Sequence, residues 1–330
     1  MANEMKKAAP FGMKDKVGYM FGDFGNDFTF LLSSSFLMKF YTDVMGVNAA
    51  IVGMVMMIAR FVDAFTDVGM GQIVDHSKPN KDGKFRPWIK RMCGPVAIAS
   101  FLIYQSGLAG MPYGFKVAWL FVTYILWGSI FYTSINIPYG SMASAISSDP
   151  KDRADLSTWR TIGSTLANMV IGVATPMVAY VVVDGKTVMS GSRMTIIAGV
   201  FSICAILCYI VCFKLTSERV EVPASNQKIS ASAIFKSIFT NKALLGIIVA
   251  AIFVLLSQLT VLSLAGYVYP NVYGSAAAQS TASLLGTVVM LVVCAPFASK
   301  LSAKFGKKEL AMGSSIFSAL VWLVCLIWRP

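Results

Sequence analysis

Arg60, Asp63 and Asp67 stand at positions i, i+3 and i+7 of an apolar run from about Ala49 to Val74, long enough to cross a bilayer as one helix. That spacing sends all three side chains out of the helix on one face. An ionised residue near mid-membrane costs about 3 kcal/mol on insertion scales, whereas each Leu or Ile returns only about 0.5 kcal/mol. Three such residues on one face must turn away from lipid, into a protein-lined or wet cavity. An internal Arg60–Asp63 salt bridge would neutralise two charges and leave Asp67 over. Two carboxylates one turn apart in such a place can hold a cation or a proton.

Other polar groups sit inside apolar runs. Asp23 and Asp27 share a face of the first run; Asp27 lies near its midpoint and calls for polar surroundings. Asp23, nearer the end, is either an interfacial residue or a functional one. Further along, Tyr132 and Asn136 are one turn apart, next to Thr133 and just before Pro138, which removes a helix hydrogen bond. Amide and phenol groups beside freed carbonyls suit a neutral polyhydroxylated ligand. Bonds from Asn136 and Thr133 to neighbouring helices are the structural alternative. Arg160 falls about one turn from the end of its run, where snorkelling to the interface explains it. His76, the only histidine, follows the second run in a loop and is assigned no chemistry. Cys204, Cys208 and Cys212 share a helix face with no histidine or carboxylate beside them, so they read as small packing residues rather than metal ligands.

The elements that must position these groups are nine apolar spans, approximately 17–41, 49–74, 89–108, 117–146, 156–182, 194–215, 243–267, 279–299 and 310–328. A short polar tail (1–16) precedes them. A charged linker (216–235) separates a six-span bundle (17–215) from a three-span remainder (236–330). Gly18 and Gly22 in the first span form a small-xxx-small face for close approach of another helix. An internal repeat supports the boundary: Tyr41-Thr42-Asp43-Val44-Met45-Gly46 resembles Tyr269-Pro270-Asn271-Val272-Tyr273-Gly274, 228 residues later. Two six-span halves at that offset need roughly 440 residues, so about nine of twelve helices are expected here, in a fragment or a truncated product.

With 56% hydrophobic and 13% charged residues, the chain reads as an all-α polytopic membrane protein. Its net charge of +12 would suggest nucleic acid in a soluble protein. Lys and Arg instead alternate by loop, 21 on the side of the N-terminus against 4 on the other. That asymmetry places the N-terminus in the cytoplasm and leaves no basic excess for nucleic acid to explain. The first run is too long for a signal h-region and is expected to be retained.

Gly22-Asp23-Phe24-Gly25-Asn26-Asp27, Ala59-Arg60-Phe61-Val62-Asp63-Ala64-Phe65-Thr66-Asp67, Gly83-Lys84-Phe85-Arg86-Pro87-Trp88 and Asn136-Ile137-Pro138-Tyr139-Gly140, in this order, carry a resemblance. So does Phe40-Tyr41-Thr42-Asp43-Val44-Met45-Gly46. Together they resemble the glycoside-pentoside-hexuronide:cation symporters, the melibiose permease group of the major facilitator superfamily. The resemblance implies that superfamily's fold, with an N-terminal six-helix bundle and an incomplete C-terminal one. It implies a symporter of sugars or glycosides coupled to Na⁺ or H⁺, with no cofactor, in a bacterial inner membrane.

By the same resemblance the cation site falls on Asp63 and Asp67, with Thr133 and Thr66 as oxygen donors and Arg60 as charge partner. Asp63 and Asp67 would hold Na⁺ if sodium is the coupling ion. The sugar site falls on Asp27, Tyr132, Asn136 and Arg160. The melibiose permease has an aspartate where this chain has Asn136, a lysine at Asn26 and a tryptophan at Gly140. The loop with Asp75, Gly83, Lys84 and Arg86 resembles the superfamily's inter-span motif, and Asp75 is expected to pair with the basic residues in one conformation. The expected partners are a small sugar or glycoside, a monovalent cation and membrane lipid. The alternatives are a carrier of the same fold for a uronide or a lysolipid, and a truncated, non-transporting membrane protein. For an enzyme the sequence offers no nucleophile–base pair, metal cluster or phosphate loop.

Overall fold

A computed structural model of the chain describes residues 9–222, 239–294, 297, 301 and 304–327. Most of the expected linker, the outermost N-terminal tail, and parts of spans eight and nine lie outside the described residues. Two compact units are present, Met1–Ser280 and Thr281–Pro330.

In the first unit α1 spans Met13–Lys39 and runs on through a π-helical segment, Phe40–Val44. Helix α2 spans Ala49–His76 and α3 Arg86–Ile103. Helix α4, Tyr113–Ile125, passes through a π-helical stretch, Leu126–Tyr132, into α5, Thr133–Ile146. Then follow α6 (Pro150–Ala179), α7 (Gly191–Leu215), α8 (Lys242–Asn271) and the start of α9 (Ala276–Val289). The second unit holds the rest of α9, a π-helical turn Met290–Cys294, and α10, Lys307–Ile327.

The helix starts follow from local chemistry. The Asn48 and Asp149 side chains accept from the amides of Ala50 and Lys151, each at 2.8 Å, and Pro150 occupies a first-turn position where no amide is needed. Asp15 accepts from the Gly12 amide at 3.2 Å. Among the described residues the one small sheet is a hairpin of β1 (Tyr180–Val183) and β2 (Lys186–Met189). It closes at Asp184-Gly185, both at positive φ, as the twist of a two-residue hairpin demands.

Glycines set the distance between α1 and α7. A Cβ at Gly18 would stand 2.8 Å from Leu215 Cβ, and one at Gly25 would stand 3.1 Å from Cys208 Cβ. At Gly22 it would collide with the Tyr139 ring and come 2.9 Å from Cys212 Sγ. Without a hydrophobic force between helices in lipid, such close packing is what holds them together. The span-six cysteines contribute to it: Cys208 and Cys212 are buried against these glycines.

Among the described residues five helices are long and apolar enough to cross a membrane: Ala49–His76, Tyr113–Ile146, Pro150–Ala179, Gly191–Leu215 and Lys242–Asn271. Helix α1 is long enough, but Asp23, Asn26, Asp27 and Ser33-Ser34-Ser35 lower its mean hydropathy below that of the other five. The charges along its middle and at its far end are internal: Asp23, Asp27 and Lys39 are all buried. Large apolar side chains such as Phe65, Ile196 and Ile203 cover the outside. The chain is an integral membrane protein. The first compact unit, Met1–Ser280, includes the seventh expected span. Helix α8 is bonded to α1 and to β1: Ser263 Oγ donates to the Ser34 carbonyl at 2.8 Å, and the Tyr180 hydroxyl donates to the Gly266 carbonyl at 3.2 Å.

Candidate functional site

Helix α2 carries Asp63 and Asp67 one turn apart, and the α4–α5 span carries Ser129 and Thr133 one turn apart. The structure brings the two pairs together as rungs. Ser129 Oγ donates to Asp63 Oδ1, and Thr133 Oγ1 donates to Asp67 Oδ1 at 2.8 Å. Both rungs join residues 66 apart in sequence, so the two helices run in the same direction. The opposite oxygen of Asp63 takes an ion pair from Arg60 at 3.1 Å. Arg60 in turn donates to the Tyr124 hydroxyl at 3.2 Å. The internal salt bridge therefore forms, and Asp67 is met by a neutral hydroxyl instead.

A cavity of about 130 Å³ lies against these groups. Its walls include Arg60, Asp63, Asp67 and Thr133, and equally Phe30, Trp127, Tyr132 and Asn136. Carboxylates and hydroxyls are hard oxygen donors of the kind that suit Na⁺, and a carboxylate can take a proton instead. Aromatic faces and an amide suit a sugar. Trp127 is buried, and its Nε1 donates to no group. A second, more apolar cavity of about 370 Å³ shares Phe30, Arg60 and Trp127 and adds Met56, Met57 and Leu259.

The remaining expected residues are placed differently. Thr66 turns its hydroxyl along its own helix, donating to the carbonyls of Val62 at 3.1 Å and Asp63 at 3.2 Å. Arg160 does not snorkel; its Nε pairs with Asp23 Oδ1 at 2.8 Å, beneath the Tyr139 ring. Asp27 is buried, and its Oδ2 accepts no hydrogen bond. Asn26 is buried and donates to Asn136 Oδ1 at 3.3 Å. Gly140 is exposed, with open space where a side chain would go. Of the sugar-site residues, only Tyr132 and Asn136 line the 130 Å³ cavity.

The inter-span loop is organised around a residue the sequence did not single out. The Glu218 carboxylate accepts from the backbone amides of Lys84, Phe85 and Arg86 at 2.7, 2.9 and 2.8 Å. These amides stand at the start of α3, where backbone donors and the helix dipole together favour an anion. Gly83, at φ +106°, is needed twice over, since a Cβ there would also run into that carboxylate. Lys84 Nζ reaches Asp75 through its backbone carbonyl, at 3.0 Å, and Arg86 holds the Phe213 carbonyl at 2.5 Å. Next to Glu218, Arg219 pairs with Asp15 at 2.8 Å.

Ser129 had a signal in the sequence, for its spacing to Thr133 repeats that of the two acids. Tyr209, which donates to Asn26 Oδ1 at 2.8 Å, and Glu218 had none, because their partners are more than a hundred residues away.

A family model described as "MFS/sugar transport protein" matches residues 18–330. The chain is 32% identical to an uncharacterized symporter of Bacillus subtilis, YjmB, over 94% of this chain and 66% of the relative. It is 30% identical to a glucuronide carrier protein homolog of Escherichia coli, over 89% of this chain and 62% of the relative. An isoprimeverose transporter of Lactiplantibacillus pentosus is 34% identical over 69% of this chain and 46% of the relative. The chain thus spans about two thirds of the length of the first two relatives.

Proposed function

The chain belongs to the MFS/sugar transport protein family, and from that premise we propose that it works as a cation-coupled sugar symporter by alternating access. The observation that carries this reading is the shared cavity, in which Asp63, Asp67 and Thr133 stand in the same wall as Tyr132 and Asn136. Asp63 and Asp67 hold Na⁺ or H⁺; Ser129 and Thr133 supply hydroxyl oxygens, while the Thr66 hydroxyl stays on carbonyls of its own helix. Cation binding offsets the two negative charges and lowers the cost of closing the cavity around them. It also draws Thr133 towards the ion. Thr133 adjoins Tyr132 and lies one turn before Asn136, so the ion orders the face that meets the sugar. By linkage the sugar must then tighten the cation to the same degree, typically about 5–150-fold.

On the sugar side, Asp27 Oδ2 is free to accept a hydroxyl donor, and Trp127 Nε1 is free to donate. Arg60 and Arg160 each face a carboxylate, Asp63 and Asp23 respectively. That pairing favours a neutral glycoside, of the kind named for the isoprimeverose relative, over an anion like a glucuronide. The chemistry needs no cofactor and no catalytic residue; the partners are sugar, cation and surrounding lipid, with no role for nucleic acid. The basic-loop asymmetry supports a cytoplasmic N-terminus in a bacterial inner membrane. The two-half architecture, divided at 216–235, is part of the same proposal.

The test is uptake of isoprimeverose and of a phenyl glucuronide into proteoliposomes, with and without a Na⁺ or H⁺ gradient. Asp63→Cys should abolish the cation-stimulated part while the protein still inserts. Uptake by that variant with full stimulation would remove the assignment.

A further inference from the structure

We propose that Tyr209, on α7, sets the hydrogen-bonding polarity of the sugar site by fixing which end of the Asn136 amide faces the cavity. The inference deepens the symporter reading and rests on it.

Three buried or half-buried groups on three helices form one chain. Tyr209 donates its hydroxyl hydrogen to Asn26 Oδ1 at 2.8 Å. With its oxygen occupied, Asn26 has its NH₂ left for the next neighbour, and Nδ2 donates to Asn136 Oδ1 at 3.3 Å. Asn136 lines the cavity beside Tyr132 and Thr133. Its oxygen is turned to Asn26, so its NH₂ is the end that meets the ligand; among the described residues it has no other partner. Tyr209 and Asn26 are each 1% exposed, so no water competes for the bond between them.

An amide can be reversed with almost no change of shape, and only its neighbours decide which way it points. Here the decision comes from Tyr209. A tyrosine hydroxyl can donate or accept, but the buried Tyr209 hydroxyl has no other acceptor for its hydrogen among the described residues, so that hydrogen goes to the Asn26 oxygen and the direction propagates through both amides. The ligand group that meets Asn136 must therefore be an acceptor: a ring or glycosidic oxygen, or a hydroxyl using its lone pair. Tyr209 touches no ligand and acts as a positioning residue.

The experiment reads polarity rather than affinity alone. Methyl xyloside and its monodeoxy and monodeoxyfluoro analogues are titrated by calorimetry against the detergent-purified protein, with Na⁺ affinity measured alongside. Fluorine can accept weakly but cannot donate; hydrogen does neither. At the position facing Asn136, wild type should lose about tenfold for the deoxy sugar and much less for the fluoro sugar, a tenfold loss being the size of one hydrogen bond. Asn26→Asp keeps the shape but can only accept, so it should draw in the Asn136 NH₂ and turn Oδ1 to the cavity. The fluoro and deoxy sugars should then bind equally weakly. Tyr209→Phe releases Asn26 and should erase most of the fluoro–deoxy difference, while Na⁺ affinity stays within about twofold, a shift of well under 1 kcal/mol.

If wild type binds the sugar and both variants keep the wild-type fluoro–deoxy difference, the polarity inference is wrong and the symporter reading stands. If wild type binds neither the xyloside nor isoprimeverose nor the phenyl glucuronide, the symporter reading falls and takes this one with it. Should Tyr209→Phe not fold, Asn26→Asp decides alone.

Discussion

Helices α1 and α2 each carry two aspartates four residues apart, and the structure treats the two pairs in opposite ways. On α1, Asp23 takes its counter-charge from another helix, Arg160 on α6, and both acids are buried, at 6% and 8% exposure. On α2, Asp63 takes its charge partner from its own helix, and both acids receive neutral hydroxyls from the neighbouring span. Helix α2 also borders the cavity. A carboxylate paired across helices ties the bundle together, and removing either member strands a charge. A carboxylate held by hydroxyls can take a cation while the hydroxyls turn their oxygens to it, and no charge is left unpaired. The same residue pattern thus makes a fastening in one place and an exchangeable binding site in the other.

The sharpest way to break this contrast is to neutralise one acid on each helix. Asp63→Asn should remove cation-stimulated uptake altogether, whereas Asp23→Asn should leave the Na⁺ dependence of any remaining uptake in place and lower thermal stability. If the two substitutions behave alike in a transport assay with and without the ion gradient, the distinction fails. Next in size is Arg160→Met, which leaves Asp23 without its partner. Because the Arg160 side chain is 41% exposed, the full penalty for a buried pair does not apply, and about 2 kcal/mol is expected. Thermal unfolding in detergent would show it, and Asp23→Asn in the same chain should restore most of the loss.

A smaller effect is expected at the loop that Glu218 organises. Gly83→Ala puts a side chain at φ +106° and into the Glu218 carboxylate, so it should cost about 1 kcal/mol or more and expose the Lys84–Arg86 amides. Hydrogen exchange at those three amides is the measurement. Unchanged protection would mean that Glu218 does not cap α3.

How much of this could be read from the sequence depends on how far apart the partners lie. Asp63 with Asp67, and Tyr132 with Asn136, are visible because helical periodicity alone puts each pair on one face. The close face at Gly18 and Gly22 is visible for the same reason, although the helix it meets is not. Contacts between distant segments leave no local trace: Arg160 with Asp23, Tyr209 with Asn26, and Glu218 with the start of α3. Trp127 was hidden for another reason. It lies in the π-helical stretch Leu126–Tyr132, where extra residues per turn shift the face that a 3.6-residue count would assign. A hydroxyl pair matching the acid pair was present at Ser129 and Thr133, but single serines in apolar spans are common and carry little weight alone.

The finest division falls between two threonines that the resemblance places together in the cation site. Thr133 donates across to Asp67, while Thr66 donates to carbonyls of its own helix. Losing the first removes a hydrogen bond to a carboxylate and an oxygen facing the cavity. Losing the second removes a bond inside α2 that the helix backbone does not require. Thr133→Val should therefore weaken cation affinity about tenfold, in keeping with a charged-group hydrogen bond of roughly 1.5 kcal/mol, and Thr133→Ser should restore it. Thr66→Val should change the affinity less than about twofold, unless the ion itself pulls the Thr66 hydroxyl round, in which case both substitutions cost the same hydrogen-bond increment. Sodium titration of the two variants side by side separates these outcomes, and it would show whether the ion meets a site already formed or draws in its last ligand on arrival.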